Sequence, residues 1–202
     1  MIRLGLDLDG VLADFNASYR QLFIDLTGRD TFDGETDPPC WNYHAVYGYT
    51  DAEAKQVWGA IAASDRFWER LDPLPGAVSL LKWAFWKQNQ IDVYFITSRI
   101  GLGVKKQSEH WLHCHGFPRA TVLVQQEQSG TKGDLAKGLG LTHVLDDKIE
   151  NLLSLPTGVV RCLRVARYNV ERYDASMVPV RDLSEFAQIV LPGGVNLAKE
   201  QR

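Results

Sequence analysis

Two aspartates one residue apart, Asp7 and Asp9, follow an apolar run and directly precede Gly10. In an extended segment residues two apart share a face, so both carboxylates are expected to address one ligand. Gly10 permits the sharp chain exit that would expose them. Such a pair has two natural tasks: holding a hard cation, and dividing nucleophilic and proton-transfer roles. Three later stretches carry complementary chemistry. Thr97-Ser98-Arg99 closes another apolar run with two hydroxyls and a guanidinium, donors suited to phosphate oxygens. Lys132, after a glycine-containing loop, adds a positive charge, and Leu145-Asp146-Asp147 adds two carboxylates. Each piece alone is an ordinary turn or surface feature. Gathered at one edge, they would form a site of acids, hydroxyls and a lysine suited to Mg2+ and a phosphate group.

The elements that must gather them are read from periodicity. Short runs rich in Val, Ile and Leu fall at residues 2–8, 91–96, 120–124, 143–145 and 159–165, as expected of parallel strands buried on both faces. Helical patterns lie between or after them, at 77–88, 104–115, 132–138 and 183–191, the first opened by Pro75-Gly76. This alternation predicts an α/β fold with a parallel sheet and helices on both faces, and in such a sheet all the reactive strand ends meet at one edge. Residues 16–72 interrupt the alternation with helical stretches at 17–26 and 51–63 and an irregular, aromatic-rich middle. We read residues 1–15 and 73–195 as the core, 16–72 as a small, mainly helical cap inserted after the first strand, and 196–202 as a flexible tail.

Bulk properties bound the alternatives. The 202 residues, 45% hydrophobic and 23% charged, suit one domain with a modest insertion. A net charge of −3 disfavours a nucleic-acid-coating protein, and no stable nucleic-acid binding is expected. No run is apolar enough for a membrane span and no signal peptide is evident, so a cytoplasmic location is expected. Three cysteines without paired spacing give no disulfide framework. His110, His113, Cys114 and His115 are read as the polar end of a helix rather than a zinc site, because no second ligand pair is in view. Arg167-Tyr168-Asn169, just past the fifth strand, is assigned to the surface or the rim of the site.

With these residues in place, the chain resembles the haloacid dehalogenase (HAD) superfamily of phosphatases. The four motifs of that superfamily correspond to Asp7-Leu8-Asp9-Gly10-Val11-Leu12, Thr97, Lys132 and Asp146-Asp147. The resemblance implies a HAD-like Rossmannoid core and an aspartyl-phosphate mechanism. In it Asp7 attacks phosphorus, Asp9 protonates the leaving oxygen and then activates water, and Thr97 and Lys132 hold the phosphoryl oxygens. It also implies Mg2+ held by Asp7, the Asp9 carbonyl and one of Asp146 or Asp147. Within the superfamily, Asp7 to Phe15, Leu74-Pro75-Gly76-Ala77, Ile96-Thr97-Ser98 and Leu145-Asp146-Asp147-Lys148 are most similar to the 5′(3′)-deoxyribonucleotidases, although Arg99 stands where those carry proline.

That likeness implies a nucleoside monophosphate substrate stacked on cap aromatics, and it allows a homodimer. Base stacking on a ring contributes about 1–3 kcal/mol. Trp41 and Tyr43, in the irregular stretch, are the first candidates, then Phe15 and Phe67; Gly10, Ser98 and Arg99 would line the phosphate end. The same rings could equally be the packing of a small cap. The alternatives are a phosphatase for another small ester or a nucleic-acid 3′-phosphate end, and a non-catalytic ligand-binding relative. A lid that must close disfavours long polymers.

Overall fold

The computed structural model describes residues 1–31, 34–35, 37–126, 130–173 and 175–192, so the tail expected at 196–202 lies outside the described residues. Six strands form one sheet: β1 (Ile2–Leu6), β2 (Ile91–Thr97), β3 (Thr121–Val124), β4 (His143–Asp146), β5 (Val160–Arg164) and β6 (Val178–Val180). Their order is β3-β2-β1-β4-β5-β6, and every pairing is parallel. The order reverses between β1 and β4, and the crevice beyond the strand ends at such a switch point is where open α/β sheets bind ligands. Asp7 follows β1 and Asp146 ends β4. The strands carrying the two acidic motifs are therefore neighbours, with Leu6 beside Leu145 and the Asp7 amide donating to the Leu145 carbonyl at 3.0 Å.

Alternation along the strands divides the apolar side chains between two layers. Leu4, Leu6, Phe95, Leu145 and Cys162 join one buried cluster with helices α4 (Ala77–Trp86), α5 (Val104–Cys114) and α8 (Leu183–Val190). Ile96, Val144 and Leu163 join the other, with α6 (Lys132–Leu139) and α7 (Ile149–Leu153). Both faces being covered explains why these strands read as continuous apolar runs.

The insertion between β1 and β2 holds α1 (Phe15–Thr27), α2 (Tyr43–Val46), α3 (Asp51–Ala63) and a 3-10 turn, Phe67–Glu69. A capping box fixes the start of α3, with Thr50 and Glu53 satisfying each other's backbone amides. Tyr19 and Phe23 of α1 and Val57 and Ile61 of α3 belong to the same buried cluster as Leu4 and Leu6. The insertion thus extends the core of the sheet. Among the described residues no helix is long and apolar enough to cross a membrane.

Candidate active site

β1 ends at Leu6, two residues before the expected end. The chain then folds into a tight turn in which the Leu12 and Ala13 amides both donate to the Leu8 carbonyl at 2.8 Å. Asp7 and Asp9 are consequently not two points on one extended strand. They still line one cleft, but each faces its own cation.

Asp7 lies against Lys132, with Nζ 2.9 Å from Oδ1 and 2.7 Å from Asp146 Oδ2. Lys132 is the first residue of α6, where the helix dipole disfavours a cation. The two carboxylates offset that, and they also hold its ammonium charged: burial would lower the Lys132 pKa, but Asp146 and Asp7 raise it. Burial pushes the Asp7 carboxyl up to about 7, opposed by Lys132 and reinforced by Asp146 and Asp9.

Asp146 is fully buried and its carboxylate is saturated. Oδ1 accepts from the Lys148 amide (2.8 Å) and the Asn151 side chain (3.0 Å), and Oδ2 from Lys132 and Asn151. Asp147 differs: Oδ2 accepts a short bond from the Tyr168 hydroxyl, and Oδ1 has no protein partner among the described residues. Burial, with Asp7 and Asp146 nearby, lifts the Asp147 carboxyl well above its ordinary range. Ligand oxygens of Asp7, Asp146 and Asp147 lie within 4.8 Å of one another, an all-oxygen donor set suited to a hard divalent cation.

Gly10 closes the floor of this cluster. Its φ of +76° suits glycine, and a Cβ there would collide with the Asp147 carboxylate and approach the Tyr168 hydroxyl at 2.8 Å.

The hydroxyl motif divides. Thr97, the last residue of β2, is fully buried, and its Oγ1 accepts the Arg99 amide at 3.3 Å. Ser98 reaches the cleft wall and donates to Gln125 Oε1 at 2.9 Å; the Gln125 amide is oriented by donating to the Gln126 and Gly130 carbonyls. Arg99 points inward, its side chain fully buried, and forks onto Asp9 through Nε (2.9 and 3.1 Å) and Nη2 (2.8 Å).

The cleft above has a volume of about 1120 Å³. Phe15, Trp41, Tyr43, Trp58 and Trp68 line it, whereas Phe67 lies outside that wall, edge-on to Phe15 and Trp68. Phe15 stacks with both Trp58 and Trp68, with ring centroids 5.6 and 5.8 Å away. Tyr43 packs into a tyrosine cluster with Tyr19, Tyr47 and Tyr49, and burial raises the pKa of its hydroxyl. Trp41 is 44% exposed, with Lys148 over its ring at 5.4 Å and its edge on Tyr168.

Sequence reasoning sent Tyr168 and Asn169 to the surface or the rim, and the structure corrects this. Both are buried; Tyr168 holds the Asp147 side chain, and Asn169 donates to the Asp147 and Arg164 carbonyls at 2.8 and 2.9 Å. The only available signal was their place just after β5, beside β4 in a parallel sheet. Asn151 and Gln125 were likewise unnoticed, because a lone amide carries no pattern. His110, His113 and His115 do not line this cleft; His110 contacts Cys114 one turn on, at 3.5 Å.

No protein-family model and no curated protein matches the chain. Solved structures do. A HAD-superfamily hydrolase of subfamily IA from Geobacter sulfurreducens aligns with a TM-score of 0.59 and 12% identity, over 94% of this chain and 96% of its own. The magnesium-bound YfnB from Bacillus subtilis gives 0.55 and 15%, over 94% and 98%. CbbY from Rhodobacter sphaeroides, in complex with phosphate, gives 0.53 and 15%, over 92% and 96%. At these identities the likeness concerns architecture, and by architecture the chain has the fold of the HAD-superfamily hydrolases.

Proposed function

We propose that the chain is a Mg2+-dependent phosphomonoester hydrolase acting on nucleoside monophosphates, with Asp7 as nucleophile and Asp9 as acid–base group. The observation that carries this reading is the buried Asp7–Lys132–Asp146 ion-pair chain, closed by Asp147, at the switch point of the sheet and open to an aromatic-walled cleft. Asp7 attacks phosphorus, the ester P–O bond breaks, and the leaving oxygen takes a proton from Asp9. Water then attacks the aspartyl-phosphate and gives a proton to Asp9, and the P–O bond to Asp7 breaks, releasing phosphate. Lys132 holds Asp7 in place and faces the incoming anion, while Asp146 holds Lys132.

The donor set fits Mg2+: Asp7, Asp147 and the Asp9 carbonyl would hold it, with Asp146 behind. When bound, Mg2+ supplies the positive charge that lets one anion approach another. One structural neighbour holds magnesium and another holds phosphate, the two groups this reading requires.

The nucleotide preference is supported by the cleft. Its volume lies slightly above the usual range of small-molecule sites, about 300–1,000 Å³, and exceeds what a phosphate ion needs. Trp41 is the most exposed ring on its wall. Asp7→Asn should abolish Mg2+-dependent hydrolysis of p-nitrophenyl phosphate; retained turnover overturns the nucleophile assignment. A panel of nucleoside monophosphates and hexose phosphates tests the substrate. Faster turnover of nucleotides is expected, and Trp41→Ala should raise KM for nucleotides well beyond that for the aryl ester. Equal rates across the panel would remove the stacking argument.

A further inference from the structure

Arg99 sits where the phosphate end of a substrate would be sought, yet its side chain is fully buried and largely occupied. Its Nε bridges both Asp9 oxygens, Nη2 adds a second bond to Asp9 Oδ1, and Nη1 donates to Ser108 Oγ on α5 at 2.9 Å. Its guanidinium lies over the Trp68 ring, 4.9 Å from the centroid. Trp68 is itself pinned, with Nε1 donating to the Ile100 carbonyl and its amide to Gln107 Oε1, both at 3.0 Å. Gln107 completes the frame by donating to the Ser64 and Leu102 carbonyls, at 3.2 and 3.0 Å.

A planar fork matched to a carboxylate fixes orientation as well as position. A carboxylate has about four lone-pair sites. Two of the three Arg99 contacts fall on Oδ1 and one on Oδ2, so Oδ2 keeps the larger share of free lone-pair density. Asp9 lines the cleft and its side chain is 22% exposed, so the fork leaves it reachable by substrate.

Building on the function proposed above, we infer that Arg99 is a positioning residue for Asp9. It presents Oδ2 as the oxygen that exchanges the proton, and the returning end of the insertion sets Arg99 through Trp68. Arg99 does not hold the phosphoryl group in this assignment.

The test compares kcat/KM, which reports the first transfer, for esters with good and poor leaving groups. A nitrophenolate leaves without needing a proton, whereas an alkoxide does not. Arg99→Met should lower kcat/KM for alkyl phosphates, including a nucleoside 5′-monophosphate, by about 100-fold, the scale of a misplaced general acid. For p-nitrophenyl phosphate kcat/KM, and inhibition by inorganic phosphate, should change little, whereas kcat should fall because Asp9 also takes the proton from the water that hydrolyses the aspartyl-phosphate. Arg99→Lys keeps the charge but loses the fork, and Ser108→Ala removes one anchor of the guanidinium; both should show the same selective loss, smaller for Ser108→Ala. These two variants decide the matter if Arg99→Met does not fold.

An equal loss on both ester types with weakened phosphate inhibition would make Arg99 a phosphate ligand and overturn the inference. So would an equal loss tracking a fall in Tm, the mark of a purely structural role. A wild-type protein that hydrolyses neither ester type overturns the function itself; an active wild type without the selective loss overturns only the role of Arg99.

Discussion

The Tyr168 hydroxyl donates to one oxygen of Asp147, a member of the acidic cluster, and so fixes the orientation of that carboxylate. Partners of this kind orient metal ligands, and losing one typically costs about 10–100-fold in metal affinity. Tyr168→Phe should therefore raise the Mg2+ concentration for half-maximal activity by about 10-fold, with KM for the ester little changed. An unchanged Mg2+ titration would place the cation away from Asp147.

Asp7 supports a prediction of opposite character. Its carboxyl, ordinarily at 3.8, is pushed up to about 7 by burial, so the folded chain holds that proton longer than the unfolded chain does. The stability this contributes is present below pH 3.8 and is lost as pH rises towards about 7. Metal-free Asp7→Asn at pH 8 should then melt above the wild type while being inactive, at roughly 2–4 °C per kcal/mol for a chain of this size. A lower Tm would mean that the Lys132 contact outweighs the burial.

At the scale of elements, α6 delivers Lys132 because Thr131 and Asp134 form a capping box that fixes its first turn. Thr131→Ala should cost about 1 kcal/mol in urea unfolding. It should also reduce kcat, since Lys132 rides on that turn; full activity would show that the ion pairs alone place the lysine. Gly10→Ala should abolish Mg2+ dependence with or without loss of fold, because the added methyl meets the Asp147 carboxylate.

Elements that read clearly in the sequence were those where pattern and packing agree. Five strands and α3, at residues 51–63, lie where periodicity put them, within one or two residues at their ends. β6 escaped because three residues with Pro179 at a sheet edge carry no alternation. α2 and α7, of four and five residues, are too short for a helical period. At the cluster, motif order was enough to bring Asp7, Lys132 and Asp146-Asp147 together. It could not show that Arg99 turns inward to Asp9 or that Thr97 lies beneath the wall, since both depend on packing around the end of β2.

Across the whole molecule, the acidic cluster is a concentration of like charge that folding must hold together. Burial raises both Asp7 and Asp147, so the metal-free wild type should lose thermal stability relative to metal-free Asp7→Asn as pH rises from about 4 to 7. Millimolar Mg2+ should restore it most at the upper end of that range, as expected of a ligand that binds only the folded state. No Mg2+ response at pH 8 would contradict the cation site.

Gly101, in the loop after β2, leaves no room for a side chain: a Cβ there would sit 2.6 Å from the Ala62 carbonyl at the end of α3. Together with the core shared by Tyr19, Phe23, Leu4 and Leu6, this makes the insertion a poor unit of exchange. Transplanting residues 16–72 from a relative would import half of an interior and leave the other half mismatched. The irregular stretch around Asp37 and Trp41 is different: among the described residues Asp37 meets Arg164 and Arg167, and Trp41 meets Tyr168 and Lys148. For anyone reshaping the selectivity of this molecule, that short stretch is the replaceable part.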